Sequence, residues 1–147
     1  MNTPTQLTIE HLAAYLPYGV DKITRHSLPG VGDYQSKLMC GDLCIISKEM
    51  RLILRPLPQL TEQITHNGET FVPIQRILTD FDYDMSRVFV KGSCVLLDCL
   101  LGDMTLLNCN LEYLGYNKAQ LLLSWHFDVF SLGDNGLCVY MNPDGTI

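Results

Sequence analysis

Residues 117–141 constrain the fold of this 147-residue chain more than any other segment, because their local signals agree with one another. Asn117 can cap a helix, since its side-chain oxygen can accept a hydrogen bond from a free N–H of the first turn. Residues 119–132 contain neither proline nor glycine, and Gly133 can supply the left-handed residue that ends a helix. The segment therefore predicts a long helix over residues 118–132, then a turn at 134–136 and a short strand at 137–141.

The apolar side chains of this predicted helix cover an arc of roughly 200° on a helical wheel. They are Ala119, Leu122, Leu123, Trp125, Phe127, Val129 and Phe130. Such an arc is wider than the apolar stripe of an ordinary surface helix, so we expect the helix to be buried on more than one side or covered by a partner. Trp125 is expected to be a core residue.

His126 lies near the middle of the apolar arc and admits two interpretations. A buried, neutral imidazole with a hydrogen bond at each nitrogen would be structural, whereas a catalytic or metal-binding histidine would line a pocket. We favour the structural interpretation, in which burial lowers the pKa of the ring. On a helix Asp128 would point to a different side, so the two residues do not form a ready-made pair. If this segment carries a binding site, its candidate residues are Trp125, His126, Asp128 and Phe130.

Three sequence motifs resemble a group of short phage- and prophage-encoded proteins of unknown function. The first is WHFDVF at 125–130, followed by GL at 136–137. The others are LAAYLPYG at 12–19, and ILRPL at 53–57 running through HNGE at 66–69. The resemblance spans most of the chain except residues 80–116. It implies a phage-type protein, and no activity is known that could be transferred from the group.

Asp80, Asp82 and Asp84 form an alternating acidic motif that begins like a calcium-binding loop. Such a loop needs glycine at its sixth position and glutamate at its twelfth, where this chain has Met85 and Lys91. A strand with acidic side chains on one face and aromatic ones on the other explains the alternation better. The three aspartates are therefore only weak candidates for divalent-metal ligands.

The six cysteines are expected to be reduced, buried thiols, since the start of the chain has no secretory signal. They are Cys40, Cys44, Cys94, Cys99, Cys109 and Cys138. The absence of a Cys-x-x-Cys spacing argues against a zinc site. If residues 94–99 form one strand, Cys94 and Cys99 face opposite sides and cannot share a metal. No cofactor is expected.

Composition restricts the class of protein further. Charged residues make up 18% of the chain, below the typical fraction of about 25%, so part of the apolar surface is expected to be an interface. The net charge of −6 argues against non-specific nucleic-acid binding. No apolar run approaches the roughly 20 residues of a membrane span. We expect a cytoplasmic protein, in the host cell if phage-encoded, that does not associate with membranes.

The remaining segments predict short elements. Thr8 can cap a first helix at 8–16, which Pro17 would stop. Strands are predicted at 20–27, 38–47 and 51–54, a short helix at 60–64 closed by Asn67-Gly68, and a helical turn at 74–78 with Pro73 at its start. The surest β element is a hairpin of 94–100 with 104–108, turning at Gly102-Asp103.

These elements predict an α+β fold: one or two small, mostly antiparallel sheets, short helices and one long C-terminal helix packed on the sheet. We expect one domain over residues 1–147, with 1–57 and 58–147 as possible sub-units.

Three function classes are compatible with the sequence. The favoured one is a phage-type accessory factor that binds a protein partner, including one that acts on a host protein. The second is a small hydrolase or metal-dependent enzyme using His126 or the aspartates at 80, 82 and 84. The third is a structural protein that associates with itself. The absence of a nucleophile–base motif makes us lean against an enzyme.

Overall fold

The computed structural model describes residues 6–24, 32–79 and 82–147. The α-helices in this part of the chain are α1 (Ile9–Tyr15), α2 (Pro73–Ile77) and α3 (Tyr116–Ser124). The strands are β1 (Asp21–Thr24), β2 (Tyr34–Lys37), β3 (Met50–Leu54), β4 (Ile64–His66), β5 (Glu69–Phe71), β6 (Val88–Lys91), β7 (Cys94–Cys99), β8 (Gly102–Asn108) and β9 (Cys138–Tyr140). Short 3-10 turns lie at Leu16–Tyr18, Cys40–Leu43, Leu57–Thr61, Met85–Arg87 and Leu132–Asn135.

The strands form three small sheets. The first has the order β2-β1-β3-β9, the second is the pair β4-β5, and the third has the order β6-β7-β8. Every pairing is antiparallel except that of β3 with β9, which is parallel. The predicted α+β class, with small antiparallel sheets and short helices, is confirmed.

The predicted long C-terminal helix is wrong, because α3 ends at Ser124. His126 takes a left-handed conformation with φ of 65°. Its N–H donates to the carbonyl of Leu123 at 3.0 Å, and the N–H of Phe127 donates to that of Leu122 at 2.9 Å. This pair of bonds is a Schellman motif in which histidine takes the place usually held by glycine. Leu122 and Phe127 are fully buried in the same core, which supplies the apolar contact that accompanies the motif.

Beyond the helix, the chain follows the end of β3. The N–H of Arg55 donates to the carbonyl of His126 at 2.7 Å, and the N–H of Asp128 donates to the carbonyl of Arg55 at 2.9 Å. A short 3-10 turn (Leu132–Asn135) and β9 follow, close to the predicted turn at 134–136 and the predicted strand at 137–141. Phe127, Val129 and Phe130 therefore do not lie on a helix, and the wide apolar arc does not exist.

The first helix is confirmed, with Thr8 as its cap. The hydroxyl of Thr8 accepts from the N–H of His11 at 3.4 Å, and the N–H of Thr8 donates to Nδ1 of His11 at 3.2 Å. Leu12 and Tyr15 bury their side chains completely. The hydroxyl of Tyr15 donates to the carbonyl of Phe127 at 2.6 Å, which ties α1 to the segment after α3.

Two predictions in the first half of the chain are wrong. Residues 38–47 do not form a strand, because the carboxylate of Asp42 accepts from the N–H of Met39 at 2.8 Å and closes a 3-10 turn. The short helix predicted at 60–64 is misplaced, because a 3-10 helix covers Leu57–Thr61 and Ile64 begins β4. Asn67 and Gly68 have φ of 51° and 81° and make the two-residue turn of the β4–β5 hairpin. The helical turn after Pro73 is confirmed as α2.

Other predictions are met in part. The predicted strand at 20–27 begins as β1, and residues 25–27 lie outside the described part of the chain. The strand at 51–54 is confirmed as β3, which starts at Met50.

The hairpin of β7 with β8 is confirmed, but its turn lies two residues earlier than predicted. Cys99 faces Gly102, so the turn residues are Leu100 and Leu101. A bulge at Val95 and Leu96 brings Val95 opposite Leu107, and both side chains are buried. The predicted turn would instead have placed Leu97 opposite Asn108, so apolar pairing selects the observed register.

Two clusters of buried apolar side chains stabilise the described part of the chain. One joins the β6–β8 sheet, the β4–β5 hairpin, α2 and α3; its largest members include Phe71, Trp125 and Phe127. The other joins α1 to β3 and includes Leu132 and Leu137 from the C-terminal segment. None of the helices in the described ranges is long and apolar enough to cross a membrane.

The expected burial of the cysteines is wrong for two of them. Cys40 and Cys44 are exposed at the 3-10 turn that replaces the predicted strand. Cys109 is buried, and burial raises the pKa of its thiol to about 12. Cys94 and Cys99 lie on one strand, as predicted.

Candidate functional site

His126 occupies a structural position at the end of α3. Its Nε2 lies 2.8 Å from the carbonyl oxygen of Tyr18, so the ring donates a hydrogen bond to the turn after α1. The ring of His66 packs edge-on against it, with 4.8 Å between ring centroids. Burial, above all, lowers the pKa of His126 to about 4, and the positive charge of Arg55 adds to this effect. The predicted lowering of this pKa is confirmed in direction.

Arg55 carries a guanidinium group inside the protein, with 1% of the residue exposed. All of its hydrogen-bond acceptors are neutral: Oε1 of Gln59 at 3.2 Å and the carbonyls of Thr65, Asn142 and Pro143 at 2.8, 3.3 and 3.1 Å. Within the described residues its Nε has no hydrogen-bond partner. Arg55 thus connects the β4 strand and the C-terminal turn to β3, and burial lowers its pKa.

Asp128 organises the turn before β9. Only 2% of the residue is exposed, and its carboxylate accepts from four donors. They are the N–H groups of Leu132 (2.8 Å) and Gly133 (2.9 Å), the hydroxyl of Tyr140 (2.7 Å) and the thiol of Cys138 (3.8 Å). Burial, together with the Asp128 carboxylate, holds the pKa of Tyr140 well above its ordinary value. Asp128 and His126 serve different partners, so they form no catalytic pair.

Trp125 and Phe130 bury their rings in different places. Trp125 is 8% exposed and packs against Phe71 with 5.0 Å between ring centroids, which confirms it as a core residue. Phe130 is half-buried and contacts the rings of His11 and Tyr15 at 5.0 and 5.9 Å. The four candidate residues of this segment therefore do not share one surface.

The acidic motif is also not assembled into a site. Asp80 lies outside the described residues, and Asp82 and Asp84 are exposed in a loop and not in a strand. Asp84 accepts from the N–H and hydroxyl of Ser86 at 3.0 and 2.7 Å, which lowers its pKa and caps a 3-10 turn. No group of three or more His, Cys, Asp or Glu side chains in residues 6–24, 32–79 and 82–147 is arranged to hold a metal ion.

A polar cavity of about 410 Å³ lies beside Asp128, between Pro56–Pro58, Ser93, Ser131 and Tyr140. Its buried carboxylate is already occupied by four donors. The hydroxyls of Ser93 and Ser131 line the cavity, and no histidine lines it that could activate them as a base.

The tip of the β7–β8 hairpin has the most unusual exposed surface in the described residues. Leu100 and Leu101 are 99% and 104% exposed. The positive φ next to the turn falls on Gly102, at 123°, and neither leucine takes a left-handed conformation. Directly below the tip, Asp98 lies opposite Asp103, and both are exposed. We call Asp98, Leu100, Leu101 and Asp103 the hairpin tip.

The hairpin tip was not predicted from the sequence, because the turn was expected at Gly102-Asp103, with Leu100 as the last strand residue and Leu101 between strand and turn. The available signal was the pair of leucines between Cys99 and Gly102, next to residues that favour turns.

Comparison with known proteins assigns no family. No protein-family model, no curated protein and no solved structure matches this chain.

Proposed function

We propose that this chain is a phage-type accessory factor that binds a protein partner through the hairpin tip and acts on a host protein. The observation that carries this function is the full exposure of two adjacent leucines, Leu100 and Leu101, at the end of a hairpin. Burying a leucine side chain contributes about 1.5–3 kcal/mol relative to leaving it exposed, so a partner that covers both gains substantial free energy.

The charges at the hairpin tip indicate what the partner offers. Asp98 and Asp103 are cross-strand neighbours, and like charges directly opposite each other destabilise a hairpin. Lysine or arginine side chains of a partner would relieve this repulsion and orient the complex. The expected partner surface is an apolar pocket with a basic rim.

The alternatives have less support. An enzyme needs a nucleophile, a base or a metal site. Nε2 of His126 and the carboxylates of Asp128 and Asp84 instead form structural hydrogen bonds. A structural protein would use the hairpin tip for self-association. The experiment below distinguishes self-association from binding to a foreign protein.

The test compares two double variants as bait in host lysate. Leu100→Ser/Leu101→Ser removes the apolar tip, while Met39→Ser/Ile45→Ser removes two exposed apolar side chains elsewhere. A partner captured by the wild type is purified, and its Kd is measured by biolayer interferometry. We expect the tip variant to raise Kd at least about tenfold, equivalent to 1.4 kcal/mol, and the control to leave it within about twofold.

Charge variants and sedimentation complete the test. Asp98→Asn/Asp103→Asn is expected to slow association and to weaken its dependence on salt. A Kd that is unchanged in the Leu100/Leu101 variant would contradict docking through the hairpin tip. A wild-type dimer that dissociates in this variant, with no foreign partner captured, would favour the structural homo-oligomer.

A further inference from the structure

Two histidines hold three segments of the chain together at the end of α3. His126 donates from Nε2 to the carbonyl of Tyr18, in the 3-10 turn after α1. His66, the last residue of β4, packs edge-on against His126 with an angle of 86° between the rings. The backbone of Ser124, the last residue of α3, lies close to the ring of His66 and favours its charged form.

The groups that face this histidine pair are mainly cationic. Arg55, which follows β3, and Lys37, on β2, act on both histidines and disfavour their charged forms. The ammonium of Lys37 is paired with Asp21 of β1 at 3.0 Å. The carboxylate that acts on Arg55 is that of Asp144, which is fully exposed. Among the described residues, no carboxylate contributes to the electrostatics of either histidine.

The hairpin that carries His66 also covers the tryptophan. Phe71, the last residue of β5, packs on Trp125 with 5.0 Å between ring centroids. Trp125 immediately precedes His126 in the chain. A movement of the β4–β5 hairpin away from α3 would therefore expose the indole ring.

We propose that His66 and His126 form a proton-sensitive latch, which holds the β4–β5 hairpin and the Leu16–Tyr18 turn against α3 when both rings are neutral. Acidification protonates the rings of His66 and His126, which contact each other near the buried guanidinium of Arg55. Their repulsion then opens the latch locally, while the β6–β8 sheet stays folded.

The direction of the pH effect follows from burial. Burial lowers the pKa of both histidines, and that of His126 falls to about 4. In the open form the rings titrate near their ordinary value of about 6.5. The latch is therefore fully stable above about pH 6.5 and weakens as pH falls towards 4. For His126 alone, the 2.5-unit difference from about 4 favours opening by roughly 80-fold between pH 6.5 and pH 4, and the full factor of roughly 300 is reached only well below pH 4.

Trp125 is the single tryptophan of the chain and reports the latch directly. We expect its emission to shift to the red between pH 6.5 and 4, before the far-UV circular dichroism signal is lost. The variant His66→Gln/His126→Asn removes both titrating rings, and asparagine tolerates the left-handed conformation of residue 126. We expect this variant to lose the red shift within that pH range.

His11→Gln is the matched control. His11 is also partly buried with a lowered pKa, and glutamine can keep its capping-box role at the start of α1. This control is expected to retain the wild-type transition.

A measurement on the wild type covers the case in which the double variant fails to fold. In NMR titrations, the amides of Gly19 and Gly68 should shift with the same midpoint as the ring protons of His66 and His126. Ordinary titration of both rings near pH 6.5, with no change at Trp125, would overturn the latch. So would a fluorescence transition that persists in the folded double variant, or one that coincides with global unfolding.

Discussion

Removing the carboxylate of Asp128 should destabilise the fold strongly, because it is the common acceptor of the turn before β9. In Asp128→Ala, the N–H of Leu132 loses its acceptor in a buried place, and the N–H of Gly133 loses its acceptor in a half-buried one. The hydroxyl of Tyr140 also loses its partner, but this side chain is partly exposed and water can replace it.

The magnitude follows from these three donors. An unsatisfied buried donor costs about 1–3 kcal/mol, and a donor that water can reach costs much less. We therefore expect Asp128→Ala to lower the free energy of unfolding by roughly 2–5 kcal/mol. Asp128→Asn keeps one acceptor oxygen but turns an NH₂ group towards a donor, so its cost should be smaller, roughly 1–3 kcal/mol.

Urea unfolding at neutral pH, followed by circular dichroism, measures both variants. Asp134→Ala is the matched control, since Asp134 lies in the same turn and is exposed. It should change the free energy of unfolding by no more than about 0.5 kcal/mol. An Asp128→Ala variant as stable as this control would refute the role of the carboxylate as a shared acceptor.

Three further predictions concern packing and surface. Trp125→Ala should destabilise by about 3–5 kcal/mol, because it empties a core position; a melting temperature within a degree or two of wild type would contradict this. Gly133→Ala should cost about 1–3 kcal/mol, since its Cβ would overlap the ring of Tyr140; the cost should vanish in a Tyr140→Ala background. Leu100→Ser/Leu101→Ser should leave the urea midpoint unchanged, as both side chains are exposed; a lower midpoint would indicate that the leucines stabilise the fold.

Local signals were reliable where one residue has one dominant preference. Thr8 caps α1, and Pro73 begins α2, because a capping hydroxyl and a ring-locked φ act within a single turn. The apolar character of Trp125 predicted its burial, and the apolar neighbours of His126 predicted its lowered pKa. These outcomes depend on nearby residues and on hydrophobicity, which the sequence displays directly.

Strand register and the hairpin tip depended on pairing across the sheet. Residues that favour turns, Gly102-Asp103, were outweighed by the apolar contact of Val95 with Leu107. Moving the turn by two residues changes each cross-strand partner near the turn by four, and an even change keeps the same faces exposed, so alternation alone does not distinguish the two registers. The shift nevertheless turned Leu100, predicted to end the strand, and its neighbour Leu101 into turn residues that are the most exposed leucines described.

The end of α3 was decided by tertiary structure alone. Helix propensities differ by at most about 0.7 kcal/mol per ordinary residue, so they favour but do not enforce a helix over residues 118–132. Arg55, some 70 residues earlier, donates its N–H to the carbonyl of His126 and accepts from the N–H of Asp128, and an unbroken helix could not form these two bonds. The sequence by itself determined that this segment is buried, while the long-range bridge between Arg55 and Phe127 determined that its second half leaves the helix.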